Sequence, residues 1–321
     1  VRFIHDDAQE FADLVEIVAA ERGLRRSIVE KDYWVTHALW ALSVAGFDVW
    51  FKGGTSLSKG FGLIERFSED LDLKIEPGRA SALPAVSSWK SEGAGATAER
   101  QAYFEAFPGA FTVPGCRVEL DHASVDKSWR GASFRVVYPS VYPGELPPEV
   151  SGHVLLEVGS ARVTPNVSRD IDSWVHERLH AAGLAAEFAD NRAHGVRCVH
   201  PLVTLLEKLD ALHRRFPNEK AAPATFVRHY EDAARLVAHA DSLPPLAGYA
   251  DVRALAAEML VHKQLVAMPT ADDVALAPRD DARWETVRRA HEAIQPMFWG
   301  PRIAVDEACA GIRAWIAEAL A

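Results

Sequence analysis

Ser68, Glu69, Asp70 and Asp72 gather acidic and hydroxyl side chains within one short stretch, and a Gly-Gly-Thr-Ser turn, Gly53 to Ser56, stands just upstream of them. Carboxylates repel one another, so a cation is the natural companion of such a cluster. Asp70 and Asp72 are two apart. On a β-strand that spacing puts both carboxylates on one face, within reach of a common metal pair. An all-oxygen ligand set suits Mg²⁺, which takes one or two carboxylates together with substrate phosphates, and Mn²⁺ accepts the same donors. A solvated strand face is the plainer reading of any acid pair.

The turn adds the complementary half. Gly53 and Gly54 let the backbone approach an anion closely, and the short helix they open would aim N–H groups at it. Thr55 and Ser56 add hydroxyl donors. Together the turn and the strand describe a triphosphate held at 53–56, with Mg²⁺ bridging it to the aspartates. Nucleotidyl transfer asks the protein for positioning and charge neutralisation, which these residue types provide.

The elements that must position these groups can be read along the chain. "FDVWF" is short, aromatic and β-branched, a strand running into the turn. "RFSEDLDLKI" alternates, with Phe67, Leu71, Leu73 and Ile75 on one face and Ser68, Asp70, Asp72 and Lys74 on the other; Glu69 breaks the parity. Upstream, Ser27 and Glu30 read as a capping box opening a helix through Leu42. "CRVEL", "SFRVVYPSVY" and "GHVLLEVGSARV" read as further strands, and residues 78–112 as irregular or weakly helical. From Ser168 onward the texture turns helical. "PLVTLLEKLDALHRRF" opens on Pro201 and carries the stripe Leu202, Leu205, Leu206, Leu209 and Leu212.

The chain of 321 residues is 49% hydrophobic, enough for two cored domains, and its formal net charge of −10 argues against coating nucleic acid by bulk electrostatics. Three cysteines with no CxxC pair fit a reducing compartment. With no apolar run of about 18 residues and no basic-then-apolar leader, the expectation is a cytoplasmic protein without a membrane partner.

"KGGTSLSKGFGLIERFSEDLDL" strongly resembles the signature of the AbiEii/AbiGii (MenT-like) nucleotidyltransferase toxins, within the polymerase-β-like nucleotidyltransferase superfamily. "VEKDYWVTHAL" resembles the same family's N-terminal helix. The resemblance implies an α+β fold: a nucleotidyltransferase catalytic domain with a mixed sheet over 1–165, then a helical domain over 166–321 that completes the nucleotide and acceptor cleft. It implies metal binding by Asp70 and Asp72, and it matches Ser68 to the serine before the first aspartate. Glu157 in "LLEVGSARVTP" resembles the third carboxylate. As the sole charge in an apolar run it needs a partner, a role a metal would fill. Glu119 and Asp121 in "VELDH" are rivals for that place.

Lys208 matches the family's helical lysine, which implies a contact to nucleotide phosphates; a snorkelling lysine beside a buried stripe is the plain reading. "RHYEDAARL" resembles the family's R-D-x-x-D helix. Asp232 takes the second acid position and His229 replaces the first. Lys52 and Lys59 bracket the turn and could screen phosphate. Trp34, Trp40 and Trp50 read as packing residues. "HERLH", His176 to His180, fits HExxH, but Ala186 stands where a third histidine would follow and a solvated helix face explains the match.

The resemblance thus implies a Mg²⁺-dependent nucleotidyltransferase toxin using an NTP, from a type IV-like toxin–antitoxin or phage-defence system. The partners it implies are an RNA acceptor, the tRNA 3′ end, and a cognate antitoxin. Two alternatives stand beside it: transfer to a small molecule or protein hydroxyl, and a non-catalytic binding module.

Overall fold

The computed structural model describes residues 1–68, 70–76, 83–146, 151–159 and 162–320; Glu69, Pro147 and Pro148 lie outside them. The chain divides into two compact units. The first is Val1–Gly60, Ser68–Val163 and Ser168–Cys198; the second is Phe61–Phe67, Thr164–Val167 and Val199–Ala321.

In the first unit, α1 (Ala8–Arg22) starts where the Asp7 carboxylate accepts from Gln9 N and Glu10 N, and it stops at Gly23. Next come α2 (Arg26–Val44), β1 (Asp48–Lys52) and a single helical turn, α3 (Gly53–Thr55), which widens into a π-helical turn over Ser56–Gly60. β2 (Asp70–Glu76), α4 (Ala94–Ala106), β3 (Arg117–Asp121), β4 (Gly131–Val137) and β5 (Val154–Gly159) follow. β6 (Asn166–Ile171), α5 (Trp174–Ala181) and β7 (Ala193–Val199) close the series, so two strands interrupt the helical texture expected from residue 168.

Among the described residues the strands form one seven-stranded mixed sheet in the order β3-β4-β5-β2-β1-β7-β6. β2 runs antiparallel to β1 and parallel to β5. One face is apolar: Phe51, Leu71, Leu73, Phe134, Val136 and Leu156 are all buried. The other face carries Asp70, Asp72 and Lys74, as the period-2 pattern of β2 requires. A mixed sheet followed by helices is the architecture implied by the sequence.

α2 is buried around most of its circumference, and its charged residues go in with it. Glu30 accepts from Val141 N (2.6 Å), Ser140 Oγ (2.8 Å) and Tyr142 N (3.3 Å); burial still pushes its pKa up. Lys31 donates to the Ser151 carbonyl at 2.7 Å. Asp32 accepts from Lys59 Nζ and, at 2.9 Å, from Trp174 N. The capping-box expectation is therefore corrected. The helix begins at Arg26 without a side-chain cap, Ser27 Oγ donates to the Glu145 carbonyl at 3.0 Å, and Glu30 serves a distant loop. Lys59, read in the sequence as able to screen phosphate, donates to the buried Asp32.

The HERLH segment is α5, and its charged residues dock that helix on α1. Glu177 accepts from Arg22 at 2.5 Å and Arg178 donates to Glu21 at 2.9 Å, while His176 lies 3.1 Å from Asp172.

The second unit is helical: α6 (Pro201–Arg215), α7 (Arg228–Ala238), α8 (Val252–Val261), α9 (Ala282–Ala293) and α10 (Val305–Ala319). Pro201 opens α6, whose Leu202, Leu205, Leu206, Leu209 and Leu212 are buried as the stripe predicts. α9, unread in the sequence, buries Trp284, Val287 and His291. None of the described helices is long and apolar enough to cross a membrane.

Removing one member of a buried pair strands the other charge. Lys59→Ala should therefore destabilise the first unit by about 3 kcal/mol, read as a lower urea midpoint. Lys59→Met with Asp32→Asn should recover most of that loss, because the amide oxygen still accepts from Trp174 N. An unshifted midpoint in the single variant would show that the pair contributes nothing.

Candidate active site

The open face of the sheet places the acidic residues by register alone. Lys52 pairs with Asp72 across β1–β2, Asp72 with Glu157 across β2–β5, and Ser133 with Glu157 across β4–β5. Residues paired in this way share a face, so one row reads Lys52, Asp72, Glu157, Ser133, and Asp121 continues it on β3. Asp70 lies two residues from Asp72 on that same face, in line with Leu155. Glu157 is thus the immediate neighbour of Asp72. Glu119 and Asp121 stand on β3, three strands from β2, roughly 14 Å away at the usual strand spacing.

Glu157 is exposed, which corrects the expectation of a charge inside an apolar run. Val154, Leu156 and Val158 turn inward, and Leu155, Glu157 and Gly159 turn out. An open cleft of about 390 Å³ lies over the row, lined by Lys52, Asp72, Ser124, Asp126, Ser133 and Glu157 among others.

The turn meets the strand at one point. Gly53 has φ +75°, and a Cβ built on it would overlap the Asp72 carboxylate, standing 2.8 Å from its Cγ. Any other residue there would be strained by the backbone conformation and would force the Asp72 carboxylate to shift. Thr55 fixes the contact: its Oγ1 lies 2.6 Å from the Asp70 carbonyl and 2.9 Å from that of Ser68, so its one proton is shared between backbone oxygens. The Thr55 hydroxyl therefore ties turn to strand. Ser56 Oγ is buried beside the Cys198 thiol, whose pKa burial pushes up to about 11. Gly54 is buried in the same turn, and Ser68 is half-exposed just before β2.

The carboxylates on this face, from adjacent strands, are oxygen donors of the kind Mg²⁺ or Mn²⁺ takes; among the described residues no three acidic, histidine or cysteine side chains are gathered closely enough to hold an ion as they stand.

The second unit holds the other two expected residues, and they touch. Lys208 Nζ on α6 donates to Asp232 Oδ2 on α7 at 2.7 Å. Arg66, which like Lys52 and Lys59 reads in the sequence as a neighbour able to screen phosphate, grips the same carboxylate: Nε to Oδ1 at 2.7 Å and Nη2 to Oδ2 at 2.8 Å. All three side chains are buried. Burial works to raise the Asp232 pKa, but Arg66 and Lys208 outweigh it and hold it well below the carboxylate range. Burial lowers the Lys208 pKa in spite of Asp232. His229, in the position where the resembled family has an acid, is held neutral by burial and by Lys208.

Glu231, one residue before Asp232, serves a separate cluster. It accepts from Arg302 at 2.7 Å and from Arg235 at 3.2 Å. Trp34 is buried, as a packing residue should be. Trp50 instead lies on the open face, 5.4 Å from Lys74 Nζ and 4.8 Å from the Arg197 guanidinium.

A family model described as nucleotidyl transferase AbiEii toxin, type IV toxin–antitoxin system, matches residues 38–309. Among solved structures the chain is similar to MenT4, a nucleotidyltransferase toxin from Mycobacterium tuberculosis H37Rv, at 20% identity over 94% of this chain and 99% of that one, with a TM-score of 0.49. It is also similar to JHP933 from Helicobacter pylori, at 13% identity over 89% of each chain and a TM-score of 0.31. No curated protein matches it.

Gly53→Ala should destabilise the first unit by at least ~1 kcal/mol from the left-handed backbone alone, and by more because Asp72 must move. Placing Asp72→Ala in the same chain should return the second part and leave the first. Denaturant titration of both singles and the double checks this. Strict additivity would mean that the turn and the strand are not in contact.

Proposed function

The chain belongs to the AbiEii family of nucleotidyltransferase toxins of type IV toxin–antitoxin systems, and from that premise we propose how this member works and on what. It transfers a nucleoside monophosphate from an NTP to an RNA acceptor, the 3′ end of tRNA, with Asp70, Asp72 and Glu157 as the metal-holding carboxylates. The single observation that carries this reading is the in-register Asp72–Glu157 pair, with Asp72 lying against a glycine in the left-handed backbone conformation.

In this reading the residues divide the labour. The backbone at Gly53 and Gly54 approaches the triphosphate, and the Ser56 and Ser68 hydroxyls offer further donors to it. Thr55 supports them by holding the turn on β2. Asp70, Asp72 and Glu157 supply the carboxylate oxygens for Mg²⁺, with Mn²⁺ able to replace it. When bound, the metal supplies Lewis-acid activation of the acceptor hydroxyl and neutralises charge on the leaving pyrophosphate. Lys208 offers a cation for phosphate, and Asp232 is its counter-ion. A cytoplasmic setting brings NTPs and tRNA together, and a cognate antitoxin restrains the activity, in a role compatible with phage defence.

An acceptor 3′-hydroxyl has to come within about 3–3.5 Å of the α-phosphate for in-line attack. A protruding single-stranded end reaches an open sheet face more readily than a duplex does.

The test takes the acceptor and the carboxylates separately. With Mg²⁺ and labelled NTPs, the protein should label a discrete small-RNA band in total RNA. Periodate oxidation of the 3′ ribose should abolish the label by consuming the nucleophile. Label on protein or on an aminoglycoside, with RNA blank, would move the acceptor to another class. Asp70→Asn with Asp72→Asn should leave under about 1% of the transfer, a loss of at least ~3 kcal/mol of transition-state stabilisation. Its melting temperature without metal should be unchanged or raised, since like charges have left one face.

A further inference from the structure

Two glycines face each other on the open side of the sheet, just past Glu157. Gly131, the first residue of β4, pairs with Gly159, the last of β5, in the ladder that also pairs Ser133 with Glu157. Side chains alternate along a strand, so Gly131 falls on the face of Ser133 and Gly159 on that of Glu157. Where a ladder ordinarily carries two side chains standing side by side, this pair carries none. Glycine weakens a strand, and there it commonly marks a bulge, a bend or the close approach of a ligand.

The backbone does not ask for glycine at either place. Neither has a positive φ, and the pairing of β4 with β5 runs from one to the other without a bulge. The space around them differs. A Cβ on Gly131 would stand 3.3 Å from the Val158 carbonyl oxygen, which is tight. A Cβ on Gly159 would meet nothing within 4 Å among the described residues. Both glycines line the cleft of about 390 Å³ that lies over the carboxylate row. A side chain at 159 would therefore fit the fold and occupy the cleft.

The wall beside this floor is polar and fixed. Ser124 Oγ accepts from Ser133 N at 2.9 Å and donates to the Asp121 carbonyl at 2.7 Å, which ties the segment after β3 to β4. Asp126 accepts from Ser128 Oγ at 2.8 Å and from Ser128 N at 2.9 Å, and these bonds hold its carboxyl below the usual range. An ionised carboxylate only accepts hydrogen bonds. Such a wall suits a ribose hydroxyl or the amino group of a base, and it repels phosphate.

The position of the cleft relative to the turn selects the substrate. In-line displacement puts the attacking and leaving oxygens on opposite sides of the phosphorus. Gly53 lies against Asp72, Glu157 stands on the next strand, and the glycine pair lies past Glu157 on β5 and β4. With the leaving pyrophosphate at the turn, the glycine pair is on the acceptor's side of the carboxylates.

We propose that the Gly131–Gly159 floor seats the terminal nucleoside of a single-stranded RNA acceptor, and that Gly159 is a specificity-determining residue because its missing side chain leaves the room. The proposal rests on the nucleotidyl-transfer reading and adds where the acceptor lies. The NTP is held at the other end of the carboxylate row, so a side chain at 159 acts on one substrate and spares the other.

The experiment compares Gly159→Val and Gly159→Ser with wild type in full-length protein checked by thermal melting. Valine suits a strand, so the melting temperature should be kept or raised. Gly159→Val should raise KM for the RNA acceptor by about tenfold or more, the scale on which a pocket rejects misplaced carbon. KM for the NTP should stay at the wild-type value. Gly159→Ser should show a smaller rise in the same constant. Equilibrium dialysis of a short labelled single-stranded RNA with a free 3′-hydroxyl should show the same weakening without any transfer.

Wild-type KM for RNA in Gly159→Val overturns the proposal. So does an equal or larger rise in KM for the NTP, which would put the nucleotide on the glycine floor. If Gly159→Val does not fold, Gly159→Ser decides: wild-type RNA affinity in that variant overturns the seat. Dialysis also separates the two layers. A wild type that binds the oligonucleotide, loses it in Gly159→Val and transfers nothing to RNA refutes the transfer reading alone. A wild type that labels an aminoglycoside and binds no oligonucleotide refutes the RNA seat.

Discussion

The first unit depends on a single close approach, that of the Gly53 Cα to the Asp72 carboxylate. The turn after β1 has to fold back over β2 so tightly that no Cβ fits, and it does so at a positive φ that only glycine adopts without strain. Once that contact is made, the rest of the site follows from ladder geometry. Antiparallel pairing of β1 and β2 puts Lys52 beside Asp72, and parallel pairing of β2 and β5 puts Glu157 on the other side. Thr55 then closes the arrangement by bonding to the backbone on which the aspartates ride. The carboxylates are thus set by backbone register on the open face of the sheet.

Buried charge is handled in two ways in this chain. On α2 it is neutralised or fully bonded: Glu30 with three donors, Lys31 with Ser151, Asp32 with Lys59 and Trp174. Those residues belong to "VEKDYW", so a stretch that resembles a functional signature is a packing device, and its polar groups specify which loops the helix contacts. At Asp232 one carboxylate accepts from both Arg66 and Lys208, and burying such a group is tolerable only while it is paired.

Much of this was legible in the sequence where the signal is local. The alternation of Leu71, Leu73 and Ile75 against Asp70 and Asp72 gives β2 and its two faces directly, and the leucine stripe gives α6. Legibility failed where the partner is remote. Lys59 finds Asp32 27 residues away and Arg66 finds Asp232 166 residues away, separations over which composition and spacing say nothing. Glu30 looked like a cap because its spacing from Ser27 is right, but a buried carboxylate was drawn to the 140–142 backbone instead. β6 and β7 escaped because Ser168, Arg169 and Asp170 in one, and His194 and Gly195 in the other, dilute the apolar alternation. β6 is also an edge strand, with less apolar surface to bury.

The departure at position 229 bears on the same charge balance. The resembled helix pattern carries an acid there, three residues before the aspartate at 232. A carboxylate at 229 would add a negative charge to the field around Lys208 and Arg66. Histidine supplies no such charge. Burial and Lys208 hold its imidazole neutral, so the ring adds no charge beside Lys208. Protonating His229 would add yet another buried positive charge, which the cluster itself opposes. The substitution is therefore coherent with the geometry around it: a neutral ring adds no further charge to a desolvated cluster in which Arg66 and Lys208 both donate to Asp232.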